Sequence, residues 1–192
     1  QACDVIDPDD PAVAALAERL AAGNSSSTTT AQRCFEWVRD EIAHNLDVGA
    51  PTVTCSASEV LREGFGFCYA KSHLLAALLR ANGIPAGMSY QRLSEDGQGS
   101  PYCLHGLNGV FLEEHGWYRV DPRGNRDGID AQFCPPVERL AYPHHAEGRG
   151  RPPARSGGAA RSCRRRSAAV ENDMRPARQS SGRTLTRTAP KP

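Results

Sequence analysis

This chain of 192 residues lacks long apolar runs, internal repeats and cysteine pairs at metal-binding spacing. No apolar run approaches the roughly 20 residues that a membrane-spanning helix needs, so we expect no membrane insertion. The absence of a repeat argues against solenoids and propellers. No two cysteines have the C-x₂₋₄-C spacing that is typical of a structural zinc site.

The seven cysteines are scattered, and an odd number over a mid-sized chain is a poor basis for a disulfide framework. We therefore expect free thiols in a reducing, cytoplasmic setting. No signal peptide is visible, but the chain begins at Gln1 rather than Met, which leaves open a leader that has been removed.

Charge is divided unevenly along the chain. Residues 1–146 carry 11 Lys and Arg against 19 Asp and Glu, a net charge of −8. Residues 147–192 carry 12 against 3, a net charge of +9, and have only three large apolar residues. That segment buries too little surface to offset its ordering entropy. We expect one domain over 1–146 and a disordered, basic Arg/Pro/Ala-rich tail over 147–192.

The basic tail has two readings: an out-of-frame ending of a GC-rich gene, or a genuine basic extension. Its arginines could contact the phosphates of a nucleic acid. The tail has no aromatic residue on which a base could stack, so we expect no specific nucleic-acid partner.

Helix signals occupy the first half of the domain. Asp10 followed by proline predicts the start of a first helix. Apolar spacing predicts a second helix over about 31–43, capped by one of the threonines before it, and residues 46–56 are expected to form a loop. A strongly amphipathic helix is expected from Cys68 to about Asn82, where a glycine and a proline follow.

Strand signals occupy the second half, near 86–93, 102–112 and 117–121. Helices that come first and antiparallel strands that come after are typical of the α+β class. We therefore predict an α+β fold.

The register of the last two strands decides which side chains meet. If Phe111 pairs with Trp117, Leu107 lies opposite Asp121, and His105 is the diagonal neighbour of Asp121 on the same face. A slip of one residue would put the histidine and the aspartate on opposite faces. A contact between them therefore requires the first register.

Cys68 stands where a glycine-containing loop becomes a helix, and a helix start favours a thiolate. In the predicted site, Cys68 attacks an acyl carbon, His105 transfers the proton, and Asp121 orients the imidazole. The Cys68 backbone N–H is a candidate oxyanion donor, and His44 and Asn45 are the polar candidates for a second donor. This chemistry needs no cofactor.

Three blocks of the sequence resemble the transglutaminase-like superfamily: GFGFCYAKSHLLAALLRANGIP over 64–85, YCLHGLN over 102–108 and GWYRVDP over 116–122. The resemblance extends over roughly 33–140. It implies a papain-like core, in which a helix bearing a cysteine packs on an antiparallel sheet bearing a histidine and an aspartate. It also implies acyl chemistry on the amides of a peptide or protein.

The family usually has an aromatic residue directly after the histidine that corresponds to His105. Gly106 stands there in this chain, and we expect it to leave room near the imidazole.

We expect a cysteine peptidase or amidase that uses Cys68, His105 and Asp121. One rival is a protein-glutamine acyltransferase that crosslinks proteins, and another is a non-catalytic binding module that keeps the fold. A metal site formed by Cys55, Cys68, Cys103 and His105 is a third rival. The sequence does not predict the oligomeric state.

Other polar residues near these blocks have simple structural interpretations. His73 is five residues past Cys68 and is expected to pack or to cap a backbone group. Arg123 and Asn125 follow the last strand and are expected to form a turn. Most of the remaining cysteines are expected to be small buried apolar groups.

Overall fold

The computed structural model describes residues 3–94 and 100–142. No helix within these ranges is long and apolar enough to cross a membrane. The predicted tail over 147–192 lies outside the described residues, so its disorder stays a prediction. The elements follow in the order α1 (Pro11–Ala21), α2 (Ser27–Glu41), β1 (Ala43–His44), α3 (Asn45–Val48), α4 (Ala57–Glu63), β2 (Phe65–Gly66), α5 (Cys68–Ala81), β3 (Ala86–Ser94), β4 (Tyr102–Leu112) and β5 (Gly116–Val120).

Capping side chains explain where the first two helices begin. Asp10 accepts hydrogen bonds from two N–H groups of the first turn of α1, which starts at Pro11 as predicted. The predicted start of α2 is wrong, because the helix begins at Ser27, four residues earlier. Ser26, rather than a threonine, accepts the Thr29 N–H. The threonines therefore form the first turn of α2 and do not cap it.

The segment over 46–56, which was expected to be a loop, begins inside a helix. The short helix α3 starts at Asn45, directly after β1. Strand β1 pairs in parallel with β2, so that His44 lies beside Gly66. Two-residue strands and a one-turn helix are too short to leave a periodic pattern in the sequence, which is why the prediction missed them.

Helix α5 is the centre of the domain, and the prediction of a strongly amphipathic helix is wrong. Every residue from Cys68 to Leu79 is buried. The helix contacts α1, α2 and α4 as well as β3 and β4. Its polar residues Lys71, Ser72 and His73 are as inaccessible as its leucines. A helix enclosed by other elements on all sides has no solvent face to which its polar residues could be assigned.

The three long strands form an antiparallel sheet in the order β3-β4-β5, and the predicted register is confirmed. Phe111 pairs with Trp117, and Asn108 pairs with Val120 at the end of β5. Asp121 follows Val120 directly. If this register is continued by one residue, Asp121 comes level with Leu107 of β4, as predicted. The fold is thus the α+β arrangement expected, with α5 packed on an antiparallel sheet.

The segment after β5 packs back onto the sheet. Tyr118 donates its hydroxyl hydrogen to the Val137 carbonyl, and the Gln91 side-chain amide donates to the Tyr142 carbonyl. Gln91 is the cross-strand partner of His105, so Tyr142 lies on the face of the sheet that carries this histidine. This segment therefore covers the sheet beside His105, where the Tyr142 ring meets the imidazole edge-on.

Candidate active site

Cys68 is the first residue of α5, as predicted. The residue before it, Phe67, provides no side-chain hydrogen bond to the helix start. The Gly106 N–H on strand β4 points at the sulfur, with 3.5 Å between nitrogen and Sγ. A helix N-terminus and an N–H donor both stabilise negative charge on the sulfur, so this environment favours the thiolate.

His105 lies between the other two predicted site residues. Its Nε2 is 2.7 Å from Oδ2 of Asp121. This leaves Nδ1 for the hydrogen bond that the ring also shares with Cys68. All three side chains are buried, with exposed fractions of 7% for Cys68, 4% for His105 and 0% for Asp121. The structure thus brings the three residues together in one hydrogen-bonded row.

The Asp121 carboxylate is held by three donors. Its Oδ1 accepts the Arg123 N–H at 3.2 Å, and its Oδ2 accepts the Ala141 N–H at 3.1 Å in addition to His105. The bond to Arg123 is the local turn that an aspartate at a strand end commonly forms. The same carboxylate therefore shapes the turn and orients the imidazole.

The charges of Cys68, His105 and Asp121 shift the pKa values of Cys68 and His105 in opposite directions. Burial acts to raise the pKa of Cys68, but the His105 charge and the hydrogen bonds from His105 and Gly106 outweigh burial and lower it. Burial acts to lower the pKa of His105, but the negative charges of Asp121 and Cys68 hold it well above its ordinary value. Opposite shifts of this kind favour a thiolate–imidazolium ion pair.

Gly106 does not leave room near the imidazole, so that expectation is wrong. A Cβ at this position would lie 2.9 Å from Cα and 3.0 Å from Cβ of Tyr69, on the first turn of α5. Contacts this short do not occur for real Cβ atoms, so the α5 backbone occupies the space. The glycine allows α5 to approach β4 closely enough for Cys68 to contact His105.

Two buried cations near the site carried no signal in the sequence. Arg123 was expected only to form part of a turn. Its guanidinium group forms hydrogen bonds of 2.6 and 3.0 Å with Asp47, which is 76 residues away in the sequence. Lys71 is fully buried on α5 and donates to the carbonyls of Arg39 and Ile42. Burial, together with the Arg123 charge, lowers its pKa to about 7. Nothing local in the sequence distinguishes a buried lysine or arginine from an exposed one.

The rival metal site is not assembled. In the described ranges no group of three or more His, Cys, Asp or Glu side chains is arranged to bind a metal ion. Cys55, Cys68, Cys103 and His105 all lie in those ranges. His73 packs as expected, with Nδ1 2.8 Å from the Cys55 carbonyl oxygen.

Comparison with known proteins bears on the family and the fold of this chain. The model of the transglutaminase-like superfamily matches residues 14–122. Among curated protein sequences none matches the chain. A candidate cysteine protease from Cytophaga hutchinsonii has a similar fold, with 19% identity and a TM-score of 0.51. That match covers 64% of this chain and 40% of the other.

Two further structures are similar at lower scores. The periplasmic domain of TgpA from Pseudomonas aeruginosa is 22% identical, with a TM-score of 0.48 and coverage of 64% of this chain and 44% of that one. A red sea bream transglutaminase is 15% identical, with a TM-score of 0.43 and coverage of 69% and 28%. The matched part of this chain thus spans less than half the length of each of these proteins. The family match extends over more than half of this chain, which therefore belongs to the transglutaminase-like superfamily.

Proposed function

We propose that this protein is a thiol-dependent hydrolase of amide bonds, a cysteine peptidase or amidase that works through a thioester. The observation that carries the proposal is the position of His105, which is hydrogen-bonded to Cys68 on one side and to Asp121 on the other. Membership of the transglutaminase-like superfamily supports it. The proposed substrate is a peptide or protein, and the cytoplasmic location stays a prediction from cysteine usage.

In this mechanism the Cys68 thiolate attacks the carbonyl carbon of the amide. His105, held as an imidazolium by Asp121, gives its proton to the departing amine, and a thioester is left on Cys68. The neutral imidazole then removes a proton from water, which attacks the thioester and releases the acid. The Cys68 backbone N–H, at the helix start, donates to the oxyanion in both steps.

Alkylation of the protein by iodoacetamide at a series of pH values tests the nucleophile. We expect Cys68 to be modified selectively, with an apparent pKa below the ordinary thiol value of about 8.5. The rate should be lost only as the pH falls through that lowered pKa and the thiolate is protonated. His105→Asn should remove the selectivity, because the imidazolium is the main stabilising charge.

Two cysteines provide the controls for this experiment. Cys68→Ala should abolish the fast phase. Cys34, whose pKa burial raises to about 12, should stay unmodified in the folded protein. Labelling of Cys68 no faster than that of the remaining cysteines would contradict the proposed function and would favour a non-catalytic binding module.

A second assay separates hydrolysis from acyl transfer. The protein is incubated with a glutaminyl peptide and a labelled primary amine. Hydrolysis without incorporation of the amine is the result that we expect. Incorporation of the label into the peptide would instead support the acyltransferase alternative, since both reactions proceed through the same thioester.

A further inference from the structure

We propose that Arg92 forms a subsite for an acidic side chain of the substrate peptide, two or three residues from the residue that Cys68 attacks. The inference rests on the proposed function and deepens it, because it names the chemical class of peptide that the site prefers. The subsite lies on the exposed sheet end, by which we mean Tyr90 and Arg92 of β3 together with Tyr102 and Leu104 of β4.

The exposed sheet end exists because α5 covers only part of one face of the sheet. Gly106 of β4 lies against the first turn of α5, where a Cβ on it would meet Tyr69. The helix begins at Cys68, but the same face of β4 continues past that point through Leu104 and Tyr102. The nucleophile therefore stands at the boundary between the covered and the uncovered part of this face.

The exposure of the side chains changes at this boundary. Tyr90, which pairs with Gly106, and Tyr102 are each 37% exposed. Arg92 is also exposed, and Leu104 is half-buried. The residues of β4 that follow Gly106 on the same face are all buried. An exposed surface of aromatic and apolar groups that continues directly from a nucleophile is suited to hold the part of a peptide next to the reacting bond.

Arg92 provides a positive charge on this surface. Its guanidinium carbon lies 3.7 Å from the centroid of the Tyr102 ring, over the face of that ring. Of the ion pairs formed within residues 3–94 and 100–142, none includes Arg92. A guanidinium stacked on a ring has its N–H groups at the edge, where they can donate two parallel hydrogen bonds to a carboxylate.

The spacing of the strands determines where the acidic residue must be. The Gly106 N–H is 3.5 Å from Sγ of Cys68, so Gly106 marks the level of the reacting bond. Arg92 pairs with Leu104, and its guanidinium reaches Tyr102. Two and four residues along a strand are about 7 and 14 Å from Gly106. An extended substrate advances by a similar distance per residue, and a glutamate side chain reaches further, so the carboxylate belongs to the second or third residue from the reacting one.

The other charges of the domain do not produce this preference. Residues 1–146 have a net charge of −8, so long-range electrostatics favour a basic peptide. Two further cations lie near the site, but both are buried and engaged. Arg123 binds Asp47, and Lys71 donates to backbone carbonyls. A preference for an acidic peptide would therefore require a local, exposed cation such as Arg92.

The test measures how well two peptides protect Cys68 from alkylation by iodoacetamide. The probes are acetyl-EEAQAEE-amide and acetyl-KKAQAKK-amide. Each carries its charges two and three residues from a central glutamine on both sides, so either chain direction can place one at Arg92. We expect the glutamyl peptide to halve the alkylation rate at about 10-fold lower concentration than the lysyl peptide. Each rate is divided by that of the same protein without peptide.

Four variants complete the design. Arg92→Glu should invert the preference, so that the lysyl peptide protects at the lower concentration. Arg92→Gln should remove the preference for the glutamyl peptide, so that failure of one variant to fold leaves the other as the test. Arg92→Lys retains the charge and should retain the preference. Arg19→Glu makes the same charge change at an exposed position of α1 and is the matched control, which should keep the wild-type preference.

The outcomes separate the subsite from the proposed function. Equal protection by the two peptides in the wild type, or protection by neither, would overturn the subsite and leave the proposed function intact. An equal change of preference in Arg92→Glu and Arg19→Glu would do the same, because it would show an effect of overall charge. A wild-type Cys68 that is alkylated no faster than the other cysteines would overturn the proposed function itself, and the subsite with it.

Discussion

Gly106, which contacts α5, and Lys71, which lies on α5, are two residues that have almost no freedom to change. Gly106 faces the α5 backbone at a distance that excludes any side chain. The Lys71 ammonium group is enclosed by the carbonyls at the end of α2, with Gly124 also close by. Both residues set how α5 rests on its neighbours. We therefore expect substitution at either to change how α5 packs against its neighbours.

Gly106→Ala should lower the free energy of unfolding by about 1–3 kcal/mol, because the new methyl group overlaps the Tyr69 backbone. It should also slow the alkylation of Cys68, since α5 must move away from β4. Gly109→Ala is the matched control on the same strand. Its methyl group would approach only the Trp117 ring, at 3.6 Å. Urea unfolding measures both variants, and an equal loss in the two would contradict the close-approach argument.

Lys71→Met should change the pH dependence of stability. The pKa of Lys71 is lowered by burial from 10.5 to about 7 in the folded protein. Between these values the unfolded chain binds more protons, so the wild type gains stability relative to Lys71→Met as the pH rises from 7. The gain is at most about 1.4 kcal/mol per pH unit and is lost again as the pH falls to 7. Urea unfolding of both proteins at pH 7, 8 and 9 measures it, and a difference that does not vary with pH would contradict the lowered pKa of Lys71.

The shortest elements, α3 and the strands β1 and β2, depend on tertiary contacts. One turn of helix and two-residue strands are not stable alone. Ion pairs connect α3 to the segment after β5. The Asp47 carboxylate lies 2.6 Å from the Arg123 guanidinium and 3.3 Å from that of Arg126. Since α3 directly follows β1, these ion pairs also fix the end of that strand.

Asp47→Asn should lower the free energy of unfolding by about 2–3 kcal/mol, because it leaves the buried Arg123 guanidinium without a counter-charge. The loss is smaller than for a fully enclosed pair, since the Asp47 side chain is 26% exposed. Glu63→Gln removes an exposed ion pair with Arg62 and should cost less than 1 kcal/mol. Urea unfolding measures both, and a loss in Asp47→Asn no larger than that in Glu63→Gln would contradict a structural role for the pair.

The same ion pair should respond to acid. Burial acts to raise the pKa of Asp47, but the hydrogen bonds and the charge of Arg123 outweigh burial and lower it. The stability from the pair is therefore present above the ordinary aspartate pKa and is lost as the pH falls through the lower folded value. The difference in stability between wild type and Asp47→Asn should shrink in that acidic range.

At the scale of the whole molecule, α1, α2, α4, α5 and the sheet all contribute to an apolar cluster within residues 3–94 and 100–142. A core of this kind is expected to be stable without a segment whose composition is basic and poor in apolar residues. Deletion of residues 147–192 should therefore leave the helix signal per molecule in circular dichroism and the thermal midpoint unchanged. A lower midpoint in the shortened protein would contradict the predicted domain boundary.

Local signals in the sequence were enough to predict a large part of this protein. The cap at Asp10, the span of α5, the three long strands and the pairing of Phe111 with Trp117 all follow from residues close together in the chain. The row of Cys68, His105 and Asp121 follows from motif order together with that register. Capping, periodicity and strand pairing are short-range effects, which a sequence shows directly.

Other features were decided only when distant segments packed together. The enclosure of α5 on all sides, the ammonium of Lys71 and the pair of Arg123 with Asp47 depend on neighbours that no local pattern specifies. The need for glycine at position 106 arises from the distance between a helix and a strand. The sequence by itself therefore determined which residues are the candidates for catalysis, and the tertiary structure decided how closely they meet and which charges surround them, because burial and contact distance are properties of the packed chain.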